Sequence, residues 1–337
     1  MAGEQPSIVP MNVVIAIYSP FASWCIPDAS VEALRRDFPE HSFIRADSDA
    51  ETQLVIADAD VAFSSQLKPS HLAAASRLRW VHSPAAGIGG MLFPEMVRSP
   101  VIMTNSRGTS AITIAEHTLA VTLALLRDLP LAWRRQSERE WAQNEFNAGA
   151  SIRTLRGASV LIVGLGAIGT ETARLMSALG ATIVGVRRRI DVPVPAGVAQ
   201  VVPPTELHEQ LARADVVVIA APQTKDTVRL IGAPELALMK HDAVLVNISR
   251  GKLVDEPALV EALEAGRLRG AALDVFEHEP LPRESPLWSR ADVLITPHVS
   301  GFHADYWPSA TRLFADNLRR FAAGLPLVNV VDKEAGY

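Results

Sequence analysis

The chain has 337 residues, 48% hydrophobic and 20% charged, without a low-complexity tract, which is the composition of an ordinary soluble globular protein long enough for two domains. Its formal net charge of -5 leaves no broad cationic surface to neutralise phosphates or anionic lipid, so neither nucleic acid nor membrane is an expected partner. The single cysteine, Cys25, excludes an intrachain disulfide, a thiolate metal cage and a CxxC redox pair; no metal is expected and a reducing cytoplasm fits best.

Met1 to Asn12 carries no basic region ahead of an apolar core, and the apolar run Leu119 to Leu126 is too short to span lipid, so neither export nor insertion is expected. Val13 to Tyr18 is a short apolar run closed by Ser19-Pro20, and Val31 to Phe38 has helical spacing after Ser30. Strand then helix is the reading. The pattern repeats through Asp60 to Phe63, Pro69 to Arg77, Arg79 to His82 and Val101 to Thr104, giving a small, mostly parallel α/β domain. Ser110 to Arg127 reads as a longer apolar helix crossing to a second domain, closed before Pro130. The stretch Trp133 to Asn147 reads either as a polar surface arm or as part of a subunit contact.

A second α/β series follows, with buried strands at Ser159 to Val163, Ala181 to Val186, Asp215 to Ala220, Ala243 to Asn247, Arg269 to Leu273 and Val293 to Thr296. The last helix, Ser309 to Phe321, cannot form a domain alone and is expected to return to the first. The fold class is therefore α/β with two doubly wound parallel-sheet domains. Residues 1–106 and 300–337 would make a smaller, discontinuous domain, and residues 107–299 a second one.

Gly164-Leu165-Gly166-Ala167-Ile168-Gly169 directly follows a predicted strand and opens a predicted helix, the context that a dinucleotide fingerprint needs. Gly164 allows the tight turn, Gly166 lets backbone approach a pyrophosphate, and Gly169 lets helix and strand pack closely. The competing reading is a glycine turn without a ligand. At the end of the second strand of this series, where an NAD enzyme usually carries an acid, stand Arg187-Arg188-Arg189. A guanidinium pairs with the extra phosphate of NADP, so Arg187 and Arg188 point to NADP first and NAD second; the alternative is a solvated loop.

Three further motifs occur in order: Asn247-Ile248-Ser249-Arg250-Gly251, then Leu273-Asp274-Val275-Phe276-Glu277-His278-Glu279-Pro280-Leu281, then Thr296-Pro297-His298. With Ala115-Glu116-His117 and Arg156-Gly157 they resemble the D-isomer-specific 2-hydroxyacid dehydrogenase family over most of the chain. Within it, the compact length is more similar to glyoxylate and hydroxypyruvate reductases than to phosphoglycerate dehydrogenases. The resemblance implies that residues 107–299, with Gly164, are a Rossmann cofactor domain and the discontinuous remainder a flavodoxin-like substrate domain, with a cleft between them, a small 2-oxo or 2-hydroxy acid as substrate, and a homodimer.

Reduction of a 2-oxo acid needs a cationic grip on the carboxylate, polarisation of the ketone and a proton donor. Arg250, past a strand end, suits the first two tasks, and His298, past Thr296-Pro297, suits the third. Glu279 matches the family's partner for His298, with Glu277 as competing candidate. Asp274 resembles the residue that binds the nicotinamide carboxamide; its alternative is a helix cap or turn acid. The cofactor set is thus Gly164, Gly166, Ala167, Ile168, Gly169, Arg187, Arg188, Pro222 and Asp274, and the substrate set Ala86, Gly87, Arg250 and His298. The loop carrying Gly87 departs from the family pattern: it continues Ile88-Gly89-Gly90-Met91, where an acidic or amide residue often stands. Trp141, Tyr306 and Trp307 line either a pocket or an interface, or pack in a core. Two other readings remain: a nicotinamide-binding regulatory protein resembling the corepressor relatives, and a relative that oxidises formate or phosphite.

Overall fold

A computed structural model describes residues 9–148 and 152–337, so the reading of the N-terminal stretch lies, for residues 1–8, outside the described residues. The chain forms two compact units, Met1–Thr109 with His303–Tyr337, and Ser110–Phe302.

The first unit runs β1 (Asn12–Ala16), α1 (Asp28–Asp37), β2 (Ser42–Arg45), α2 (Asp49–Val55), β3 (Val61–Ser64), α3 (Pro69–Ala74), β4 (Trp80–Ser83), α4 (Pro94–Arg98) and β5 (Ile102–Asn105). Its sheet is parallel with order β2-β1-β3-β4-β5, the flavodoxin-like winding. Neither β2 nor α2 is visible as an apolar pattern. Strand β2 is an edge strand with Phe43 as its one buried residue, and α2 starts because the Ser48 side chain accepts the Glu51 N–H at 3.2 Å.

The second unit runs α5 (Ala111–Leu126), α6 (Leu129–Glu138), α7 (Gln143–Ala148), β6 (Ser159–Val163), α8 (Ala167–Ala178), β7 (Thr182–Val186), β8 (Gln200–Val202), α9 (Leu207–Leu211), β9 (Val216–Ile219), α10 (Ala233–Leu238), β10 (Val244–Asn247), α11 (Glu256–Glu264), β11 (Gly270–Leu273) and β12 (Val293–Ile295). The order is β12-β11-β10-β9-β6-β7-β8, all parallel. Counted from β6, this is the Rossmann order with one strand added beyond the sixth. Strands β6, β9 and β10 carry Val, Ile and Leu on both faces because helices cover both. The stretch after α5 is helical and exposed: Arg135 ties Glu138, Glu140 and Glu145 together, while Trp133 and Trp141 face solvent at 53% and 90% exposure.

Helix α12 (Tyr306–Ala322) then completes the first unit. Phe314 stacks on Phe63 at 4.3 Å and on Trp80 at 5.3 Å between ring centroids, with Leu318 in the same core. Burial of these rings, not helix propensity, is what brings the segment back.

A polar chain crosses this core. Trp80 Nε1–H donates to Thr104 Oγ1 at 2.8 Å, Thr104 lies 2.6 Å from His82 Nδ1, His82 Nε2 lies 3.1 Å from Ser106 Oγ, and Ser106 donates to the Ser83 carbonyl at 3.0 Å. Because the Ser106 hydroxyl gives its one proton to the Ser83 carbonyl, it accepts from His82 Nε2–H, which leaves Nδ1 to accept the Thr104 hydroxyl and makes His82 a neutral Nε2–H tautomer. Burial pushes its pKa down to about 3. The unfolded chain therefore binds the extra proton first, and stability falls as pH drops below the ordinary value of 6.5. Between about pH 7.5 and pH 5 the first unit should lose about 2 kcal/mol, read from urea midpoints. A His82→Gln variant should lack that slope; an equal slope in the variant would put the titration elsewhere.

Candidate active site

In the second unit the glycine fingerprint, the three arginines and the motifs carrying Arg250, Glu279 and His298 lie at the carboxyl ends of parallel strands, the edge where open α/β sheets bind ligands, whereas Ala115-Glu116-His117 lies within α5 and Arg156-Gly157 precedes β6. After β6, Gly164 has φ 104, and a Cβ there would meet the Ala221 backbone nitrogen at 2.6 Å, so only glycine lets β6 turn against the end of β9. A Cβ on Gly169 would come to 2.0 Å from the Gly164 carbonyl oxygen. A Cβ on Gly166, by contrast, would meet nothing within 4 Å, which leaves open space in front of the backbone at the start of α8. Ala167 and Ile168 begin that helix, so their N–H groups belong to its unsatisfied first turn. This donor set suits an anion. Gly169→Ala should weaken binding of a nicotinamide dinucleotide at least about tenfold in a fluorescence titration, because the helix must lift off the strand. Unchanged affinity would show that the helix N-terminus does not hold the pyrophosphate.

At the end of β7 the three arginines differ. The Arg187 guanidinium donates to the carbonyls of Val192 and, at 3.0 Å, Pro193, and its buried Nε has no hydrogen-bond partner among the described residues. Arg188 and Arg189 are exposed. Pro222, after β9, is exposed, and its carbonyl accepts the Thr227 hydroxyl at 2.7 Å.

The loops after β10, β11 and β12 converge. Gly251 lies so close to Phe276 that a Cβ would stand 1.8 Å from its carbonyl carbon, and this contact sets Arg250 beside the loop Phe276–Glu279. Arg250, Glu279 and His298 line one cavity of about 260 Å³ with Gln223, Lys252, Phe276 and Glu277. Glu279 Oε2 is 2.7 Å from His298 Nδ1, and its Oε1 accepts the Phe276 N–H at 3.0 Å. The competitor Glu277 instead has its backbone N–H on the Glu256 carboxylate. Burial pushes the Glu279 carboxyl up, but hydrogen bonds from His298 and Phe276 and the nearby charges of His298 and Arg250 outweigh it and hold it below the ordinary value of 4.5. Burial also lowers the Arg250 pKa, with Glu279 pulling the other way. Arg250 donates to its neighbouring Ser249 carbonyl at 2.6 Å, which fixes part of the guanidinium fork.

His298 itself has φ 54, a left-handed conformation that costs an L residue energy. Asp274 supports it. The Asp274 carbonyl accepts the His298 N–H at 2.8 Å, while the carboxylate, 1% exposed, accepts the Thr296 hydroxyl at 2.6 Å and the N–H groups of Val299 and Ser300 at 2.9 and 3.1 Å. Every hydrogen bond described for this carboxylate goes to the loop that carries His298. His117 reaches the same Thr296 hydroxyl at 3.2 Å. Sequence reasoning missed Gln223 and Lys252 and gave Thr296 no role beyond its place in the Thr296-Pro297-His298 motif; Gln223 adjoins Pro222 and Lys252 lies two residues after Arg250, and their closeness to a strand end was the available signal.

In the first unit, Ala86 and Gly87 are exposed in the loop after β4. Tyr306 donates to the Pro84 carbonyl at 3.0 Å and Trp307 to the Ser23 carbonyl at 3.2 Å, so both rings brace backbone. No group of three or more His, Cys, Asp or Glu among the described residues is placed to hold a metal ion, and no described helix is long and apolar enough to cross a membrane.

Residues 119–300 match the family model for the D-isomer specific 2-hydroxyacid dehydrogenase, NAD binding domain. The chain belongs to this family. It is 34% identical over 263 residues to a glyoxylate reductase of Korarchaeum cryptofilum, covering 77% of this chain and 78% of that protein. It is 32% identical over 261 residues to a D-3-phosphoglycerate dehydrogenase of Methanocaldococcus jannaschii, covering 77% of this chain but 48% of that one, so the chain spans about half the length of this relative. Among solved structures, an NADPH-dependent glyoxylate/hydroxypyruvate reductase from Sinorhizobium meliloti, in complex with NADP and sulfate, has a TM-score of 0.83 at 28% identity, covering 97% of this chain and 100% of that one. This member of the dehydrogenase family thus shares its fold with that neighbour along nearly all of both chains.

Proposed function

We propose that the protein reduces a small 2-oxo acid, of the glyoxylate or hydroxypyruvate kind, to the D-2-hydroxy acid with NADPH, and catalyses the reverse oxidation. The observation that carries the reading is the Glu279–His298 pair, 2.7 Å apart, on the same cavity as Arg250. The bound nicotinamide supplies the hydride for the carbonyl carbon. Arg250 holds the carboxylate and polarises the carbonyl oxygen from a half-buried position, where its charge acts through a lower dielectric than water. Glu279 accepts the Nδ1–H of His298, so Nε2 faces the reacting oxygen, giving its proton in reduction and taking it back in oxidation. Asp274 holds the His298 loop.

NADP is the preferred cofactor in this reading. No acid stands at the end of β7 to repel a 2′-phosphate, and Arg187, Arg188 and Arg189 stand there instead. The NADPH-dependent Sinorhizobium meliloti neighbour points the same way. The exposed Trp133 and Trp141 suit a second copy of the chain, as the family resemblance implies for a homodimer.

The test is to follow loss of reduced-nicotinamide absorbance with glyoxylate, hydroxypyruvate, pyruvate or phenylpyruvate, with NADPH or NADH, beside an Arg250→Ala control. Turnover faster with NADPH and lost in the variant supports the reaction and the cofactor preference together. Tight NADPH binding without reduction of any oxo acid would favour the regulatory reading.

A further inference from the structure

The loop Ala85–Gly87 presents two backbone N–H groups, of Ala86 and Gly87, that donate to no protein acceptor among the described residues. What aims them is visible in the hydrogen bonds of the carbonyls behind them. A peptide unit is planar and trans, so a bond that fixes its oxygen turns the N–H of the next residue the opposite way. The Ser106 N–H holds the Ala85 oxygen at 3.2 Å, which orients the Ala86 N–H. The Asn105 side-chain amide holds the Ala86 oxygen at 2.6 Å, which orients the Gly87 N–H.

Asn105 is in turn gripped from residues 329–331. Its backbone N–H donates to the Asn329 carbonyl at 3.2 Å, and Asn329 Nδ2 donates to the carbonyls of Asn105 at 3.1 Å and Arg107 at 2.8 Å. Asn329 adopts φ 58, a left-handed conformation that asparagine tolerates better than most residues. Arg107 returns the contact to the Val330 carbonyl at 3.2 Å, and the Val331 N–H bonds the Met103 carbonyl at 2.8 Å.

We propose that Asn105 is a positioning residue that presets the Ala86 and Gly87 N–H pair for a substrate carboxylate, and that Asn329 is the clamp that holds Asn105 in place. The proposal rests on the 2-oxo acid reading. It assigns specificity for a planar carboxylate partly to a side chain that never touches it, and to a segment more than two hundred residues away in sequence.

The test is equilibrium binding of oxalate to the NADP-loaded protein by calorimetry, for the wild type, Asn105→Ala and Asn329→Gly. Glycine keeps the left-handed backbone at 329 and removes only the two side-chain bonds. Asn105→Ala should weaken oxalate about tenfold and Asn329→Gly about threefold, with NADP affinity unchanged in both. In turnover, KM for the oxo acid should rise by similar factors while kcat stays near the wild-type value, a split that general loosening of the fold would not produce. Oxalate affinity equal to wild type in a folded Asn105→Ala protein overturns the proposal, as does a wild type that binds no oxalate. If Asn105→Ala does not fold, Asn329→Gly decides alone, unchanged affinity counting against the proposal. A wild type that binds oxalate but reduces no oxo acid sinks the proposed function while leaving the comparison between variants readable.

Discussion

Arg250→Ala should lower kcat/KM for 2-oxo acid reduction by about 10³-fold or more while leaving nicotinamide binding within about twofold. The size follows from the two tasks assigned to one group, a grip on the substrate carboxylate and a charge beside the carbonyl oxygen. Removing a single oxyanion donor commonly costs about 10² to 10³ in kcat, and here the ground-state grip goes with it. Arg250 also faces Glu279, so the alanine variant leaves that carboxylate with less positive charge nearby. Arg250→Lys should recover only part of the loss, because a lysine keeps the charge but not the planar fork. Stopped-flow turnover and NADPH titration measured on the same preparations separate the two terms. Activity of Arg250→Ala within about tenfold of wild type would remove Arg250 from the reaction.

His298→Gln should lower kcat by about 10² to 10⁴, the usual range for loss of a positioned acid and base, without changing cofactor affinity. Glu279→Gln should cost less, about 10- to 100-fold, and should alter the pH profile. In the folded protein the Glu279 carboxyl is held below its ordinary value of 4.5. Its contribution to the paired state is therefore fully present above that value and is lost only as pH falls through the lowered one. The wild-type protein should keep Glu279 ionised across the neutral and mildly acidic range and lose its contribution only below it, whereas the glutamine variant has no charge to lose. Profiles of kcat against pH for the two proteins should differ in shape as well as height. Superimposable profiles would mean that Glu279 supports the loop only structurally.

The chemistry-bearing segments were readable because each couples a strand to a sharp turn. Gly164 to Gly169, Asn247 to Gly251 and Thr296 to His298 all place polar or glycine residues directly after a buried apolar run. Two of the edge strands were not readable: β2 and β8 each bury a single side chain, so neither produces an apolar run, whereas the edge strands β5 and β12 carry apolar runs and were read. The chain from Trp80 to Ser106 was invisible for a different reason, since it joins neighbouring strands at matched register and leaves no local pattern. Likewise the sequence shows three arginines after β7 but not that Arg187 spends its guanidinium on the carbonyls of Val192 and Pro193. Nor does it show that Asp274 gives its carboxylate to backbone N–H groups of the His298 loop.

The return of α12 to the first unit sets an order of events during synthesis. When β1 to β5 leave the ribosome, the partner of Phe63 and Trp80 has not yet been made, and the contiguous residues 110–302 must be translated before Phe314 arrives. The second unit can condense as soon as its own stretch is complete, because every strand of its sheet is already present. The first unit waits with an aromatic face uncovered, and its closure joins residues more than two hundred positions apart, the kind of long-range contact that slows folding. During that interval the nascent chain is most exposed to aggregation, and a chaperone would have the most to protect.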